Sequence, residues 1–72
     1  MRRYSVIVQK GCSRCWTVEN TAKNTGRTGE FDFVEAMSDQ GKALCKKYSI
    51  QSAGTIIDNE LELVVQFDVV FS

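Results

Sequence analysis

Histidine and proline are both missing from this sequence of 72 residues. Without histidine there is no imidazole base and no Cys/His zinc site. Nine Lys and Arg balance nine Asp and Glu, so no basic excess points to nucleic acid. No apolar run approaches the roughly 18–20 residues of a membrane span. Arg2 and Arg3 precede an apolar stretch that is far too short for a signal peptide. The three cysteines cannot all pair within one chain. That argues against a disulfide-stapled secreted scaffold, and a reducing cytoplasm fits better.

What is present describes one small globular domain over residues 1–72, with 43% hydrophobic and 25% charged residues. A chain of this size buries only about 60% of its unfolded surface, so its margin of stability is small. Tyr4-Ser5-Val6-Ile7-Val8 is nearly all apolar and suits a central strand covered on both faces. A helix is expected over Ser13–Asn24, with Cys15, Val18 and Ala22 on one face and Glu19, Asn20 and Lys23 toward water. Gly26 and Gly29 close it in a polar loop. Glu30 to Ala36 alternates charged and apolar residues as far as Val34, the pattern of a half-exposed strand at a sheet edge.

Ser38 and Asp39 can cap a second helix over Asp39–Tyr48, whose apolar stripe is Gly41, Leu44 and Tyr48. Its lysines 42, 46 and 47 read as a solvated face. Thr55-Ile56-Ile57 follows as a strand, Asp58-Asn59 as a tight turn, and Leu61 to Val65 as the returning antiparallel strand. Residues 67–72 either extend that strand or form a short terminal turn. The order is strand, helix, strand, helix, strand, strand, an α/β arrangement. Its first three elements require a right-handed crossover and a parallel strand pair.

The chemistry concentrates in Lys10-Gly11-Cys12-Ser13-Arg14-Cys15, between the first strand and the first helix. Gly11 allows a close approach ahead of the first thiol. Cys12 falls at the helix N-terminus, where unpaired N–H groups and the positive end of the dipole favour a thiolate. Such a setting lowers a cysteine pKa from about 8.5 to roughly 3.5–7.5. Cys15, one turn on, can close a disulfide with Cys12, and Lys10 and Arg14 add positive charge. Arg14 either supports the thiolate and biases partner choice or is a plain exposed side chain. Cys45, followed by two lysines, is either a small core or boundary residue or a modifiable thiol. Trp16 is expected to pack near the site, with partner docking as the alternative.

This order of elements, with Cys-x-x-Cys after the first strand, resembles the minimal thioredoxin fold. It is most similar to the small glutaredoxin-sized thioredoxins, including those called redox-active disulfide protein 2. The residues that carry the likeness are 10–15 and Tyr48-Ser49-Ile50-Gln51-Ser52-Ala53-Gly54-Thr55-Ile56-Ile57-Asp58-Asn59. The resemblance implies a mixed four-stranded sheet in the order 2-1-3-4, with a terminal helix that is missing or vestigial here. It makes Cys12 the attacking thiol and Cys15 the resolving one. It also puts Ala53, Gly54 and Thr55 beside the substrate.

The sequence departs from this pattern in three ways. Where the family has a cis-proline, this sequence has Gly54. A cis bond before glycine costs roughly 2.5–4 kcal/mol, so a trans bond and a looser loop are expected. Too few residues follow the last strand for a full terminal helix. The glycine-and-acid pattern that holds glutathione in glutaredoxins is not visible.

The implied function is thiol–disulfide exchange with protein disulfides, without a bound cofactor. A protein or a low-molecular-weight thiol would serve as reductant. Neither nucleic acid nor membrane is an expected partner. A monomer is expected, and an open sheet face and edge also allow a dimer. The alternative is a soft-metal carrier for copper or zinc that uses the same two cysteines. With Cys45 they would supply at most three thiolates, short of a closed structural site. The copper-chaperone domain of the ferredoxin-like class also has Cys-x-x-Cys after its first strand. It differs in placing its second and third strands together before the second helix, and in a Met where Lys10-Gly11 stands here.

Overall fold

A computed structural model describes residues 2–72. Among these, the strands β1 (Tyr4–Val8), β2 (Phe31–Glu35), β3 (Ile56–Asp58) and β4 (Leu63–Val65) form one mixed sheet in the order β2-β1-β3-β4. β1 pairs parallel with β2, from Tyr4 opposite Phe31 to Val8 opposite Glu35. It pairs antiparallel with β3, Val6 opposite Ile56, and β3 pairs antiparallel with β4. Helices α1 (Ser13–Asn24), α2 (Asp39–Tyr48) and the single-turn α3 (Phe67–Val70) complete the fold, with a 3-10 turn at Thr28–Glu30.

The period of two along each strand sorts the apolar residues into two cores. Val6, Phe31 and Ile56 point to one face, where they meet Val18 and Ala22 of α1 and Val70 of α3. Ile7, Val34 and Ile57 point to the other, where Leu44, Cys45 and Tyr48 of α2 cover them. β1 is apolar on both faces because it lies inside a three-layer sandwich, while β2, at the sheet edge, buries Phe31 on one face and Val34 on the other and leaves Glu35 exposed.

The helix ends follow local chemistry. The Ser38 hydroxyl accepts from the Gly41 N–H at 3.0 Å and caps α2. Gly41 lies so close to β2 that a Cβ there would sit 1.9 Å from the Glu35 carbonyl oxygen. On α1, the hydroxyls of Thr17, Thr21 and Thr25 donate to the carbonyls four residues earlier at 3.0, 2.8 and 2.7 Å.

The last residues, left open between strand and turn, form the one-turn helix α3. What anchors so short an element is Arg27. Its guanidinium donates to the Val70 carbonyl and to both Glu30 carboxylate oxygens, and it stacks over the rings of Phe31 and Phe71. Phe31 and Phe71 themselves stack at 5.4 Å.

Two strand expectations are corrected. Asp58 is not a turn residue: it ends β3 and is buried. Its carboxylate accepts from Arg3 at 3.0 and 2.9 Å and from the N–H groups of Glu60 and Leu61 at 2.9 and 3.0 Å. The turn therefore comes later and includes Glu62 at φ 55°, so β4 begins at Leu63 rather than Leu61.

Candidate functional site

β1 ends at Val8, and Gly11 turns the chain at φ +79° into α1. Cys12 is the N-cap of α1, in extended conformation, and its sulfur accepts the Cys15 N–H at 3.2 Å. The thiol thus takes the place that a Ser or Asp oxygen usually occupies at this position. Cys12 is half-buried, whereas Cys15 faces inward and is only 4% exposed. The Cys15 thiol donates to the Ile7 carbonyl at 3.5 Å. Cys12, Cys15 and Cys45 are all free thiols.

This geometry drives the two thiols apart electrostatically. Cys12 is held below the usual thiol range, first by a hydrogen bond from the Cys15 thiol and then by the Cys15 N–H. The Arg14 N–H and charge add smaller contributions in the same direction. Cys15 is pushed up to about 11, chiefly by desolvation and then by its hydrogen bond to Cys12. The hydrogen-bond geometry directs the single Cys15 proton to the Ile7 carbonyl.

The site residues fall on either side of the motif. Lys10, Gly11, Cys12 and Cys15 line an open groove of about 620 Å³ together with Trp16, Glu19 and Glu35. Arg14, Gly54 and Thr55 line a second cavity of about 390 Å³, closed on its far side by β4 and α3. Ala53 is half-buried and lines neither of these. Trp16 corrects the packing expectation: it is 66% exposed at the groove rim. Cys15, Val18 and Ala22 already occupy the buried face of α1.

The loop before β3 is also tighter than expected. No described residue has a cis peptide bond, so the bond into Gly54 is trans as anticipated. The loop is nonetheless fastened to β1. Gly54 N–H donates to Ile7 O at 2.7 Å, Ile7 N–H donates to Thr55 O at 3.1 Å, and the Thr55 hydroxyl donates to Ser52 O at 2.8 Å. Sequence reasoning missed Ile7 as a site residue. Its contribution is a backbone carbonyl, which no side-chain type announces. Glu19 and Glu35 at the groove rim were also missed, since each looks like an ordinary solvated carboxylate.

Cys45 lies on α2, packed on the opposite face of the sheet from α1. Among the described residues, no three His, Cys, Asp or Glu side chains come together as metal ligands. No helix of the described residues is long and apolar enough to cross a membrane. Compared with known proteins, the chain matches no family model, no curated protein and no solved structure.

Proposed function

We propose that this chain is a small thiol–disulfide oxidoreductase of thioredoxin-like type that exchanges electrons with protein disulfides through Cys12 and Cys15. The observation that carries the reading is the division of labour between the two thiols. One sulfur is half-buried and sits at a helix N-terminus with its pKa lowered. The other, one turn behind, is buried and kept protonated up to about pH 11. An attacking thiol needs thiolate at ambient pH, and a resolving thiol must stay inert until a mixed disulfide exists. The sheet order, the parallel β1–β2 pair and the motif between β1 and α1 support the thioredoxin-like reading.

The reaction proceeds in two exchanges. The Cys12 thiolate attacks one sulfur of a target disulfide, and the other target sulfur leaves as a thiolate. Once Cys12 is in the mixed disulfide, its negative charge no longer holds the Cys15 proton. Cys15 then loses that proton to the released thiolate and attacks Cys12. The second target sulfur leaves and takes a proton from solvent. The target gains two electrons, and the protein is left with a Cys12–Cys15 disulfide. A protein or low-molecular-weight thiol restores the dithiol by the reverse chemistry. A reducing cytoplasm suits this cycle, and neither cofactor nor metal takes part in it.

Reduction of insulin disulfides with dithiothreitol as electron source tests the proposal. The wild-type chain should accelerate precipitation of the insulin chains. Cys12→Ser should abolish the acceleration, and Cys15→Ser should trap a mixed disulfide with the target. A wild-type chain no faster than dithiothreitol alone, combined with tight copper(I) binding by the same pair, would favour the carrier reading instead.

A further inference from the structure

Gly54 makes two contacts that no other residue type could make together. At φ +87° it holds a conformation that favours glycine. A Cβ there would lie 2.7 Å from the Arg14 Cβ and 3.5 Å from the Cys15 nitrogen. Its backbone is thus the surface on which the first turn of α1 rests. Its N–H donates to the Ile7 carbonyl at 2.7 Å, the same oxygen that accepts the Cys15 thiol at 3.5 Å. That N–H is consequently not offered to a substrate peptide, although Gly54 sits where the family resemblance would put a substrate contact.

We propose that Gly54 is a positioning residue that holds Cys15 against the Ile7 carbonyl, and that this shared carbonyl carries the redox state of the thiol pair to the loop before β3. The link to redox state rests on the oxidoreductase reading, while the shared carbonyl does not. In the dithiol, the Ile7 oxygen has two donors, the Gly54 N–H and the Cys15 S–H. Oxidation by a target disulfide removes the Cys15 proton, forms the Cys12–Cys15 bond and moves two electrons to the target. The Ile7 oxygen then keeps only the Gly54 donor, and that hydrogen bond strengthens. A carbonyl oxygen has two lone pairs, so losing one donor is felt directly by the other. The Gly54 N–H thereby reports chemistry at a sulfur to which it is not bonded, on a loop that lines the cavity beside Arg14.

The test is the amide resonance of Gly54 in the full chain, labelled with ¹⁵N-glycine and recorded at one fixed pH near neutral, well below the value of about 11 to which Cys15 is raised. Cys15→Ser keeps a donor for the Ile7 oxygen, and its Gly54 resonance should stay close to that of the reduced wild type. Cys15→Ala removes the donor, and its resonance should move downfield toward that of the oxidised wild type. A Gly54 resonance indifferent to Cys15→Ala, or moved equally by both variants, overturns the shared carbonyl. If the chain cannot be oxidised, the two variants still decide this point, and only the oxidoreductase reading fails.

Gly54→Ala supplies a second readout. Raising α1 off β1 weakens the contact that stabilises the dithiol. The exchange equilibrium with glutathione should therefore move about threefold toward the disulfide, roughly 15 mV for a two-electron couple. A lower melting temperature with an unchanged equilibrium would make Gly54 merely structural. Should Gly54→Ala fail to fold, the Cys15 variants decide the matter.

Discussion

The sulfur of Cys12 accepts the backbone N–H of Cys15 at 3.2 Å, so the proposed nucleophile is also the N-cap of the helix that carries Cys15. A capping sulfur accepts better as a thiolate than as a thiol, because hydrogen bonds to an ionised acceptor are roughly twice as strong. The same contact that starts α1 therefore lowers the pKa of Cys12. The Cys15 thiol lowers it further and is the larger cause, so the cap contributes to the reactivity without accounting for all of it.

The two thiols should separate cleanly in alkylation. Iodoacetamide reacts with thiolates, so the rate at Cys12 should rise with pH through a midpoint below the ordinary thiol value near 9, and the rate at Cys15 only toward about 11. Peptide mapping after brief labelling at neutral pH should find Cys12 modified well ahead of Cys15. Equal labelling of both, or Cys15 first, would contradict the assignment of roles.

The Arg3–Asp58 pair ties the start of β1 to the end of β3 and should govern the acid limb of stability. Asp58 has its pKa lowered in the folded state, first by the Arg3 hydrogen bond and then, against desolvation, by the N–H groups of Leu61 and Glu60. A carboxylate depressed in this way contributes stability above its unfolded pKa, near 3.9, and the contribution is lost as pH falls through the lower folded value. Asp58→Asn should lower the thermal midpoint at neutral pH and flatten its decline between about pH 5 and pH 2. Thermal melts across that range check both effects. A variant whose acid limb runs parallel to the wild type would show that other carboxylates control it.

Gly41→Ala should destabilise the chain although it favours helix. Alanine gains roughly 1 kcal/mol over glycine within a helix. Here its Cβ would sit 1.9 Å from the Glu35 carbonyl, which forces α2 away from β2. The net loss should be at least about 2 kcal/mol in urea denaturation. Neutral or improved stability would mean that the α2–β2 contact yields more easily than backbone against backbone should.

Much of this fold could be expected from the chain because local and long-range signals agree in it. The apolar run Tyr4–Val8 became the central strand, the alternation in Phe31–Glu35 an edge, and both long helices begin at residues whose side chains cap them. Expectation failed where a distant partner decides. Asp58 has the composition of a turn residue, but Arg3, 55 positions earlier, draws it into the end of a strand. Trp16 looks like core by hydrophobicity, yet it lies off the α1 face that Cys15, Val18 and Ala22 bury. The loop before β3 looked loose without proline, and it is closed by backbone hydrogen bonds to Ile7 that no side chain encodes. Within the candidate site the thiol pair was visible as a motif, but the carbonyl that holds Cys15 was not.

The most direct test of the central claim is a redox titration of the metal-free chain in glutathione buffers. Cys45→Ala removes the third thiol, and thiol trapping follows Cys12 and Cys15. Trp16, exposed beside the pair, gives an independent fluorescence signal. One reversible two-electron transition is expected, between roughly −270 and −120 mV, where Cys-x-x-Cys oxidoreductases lie. Thiols that stay reduced across the accessible range, with no transition by either probe, would contradict it.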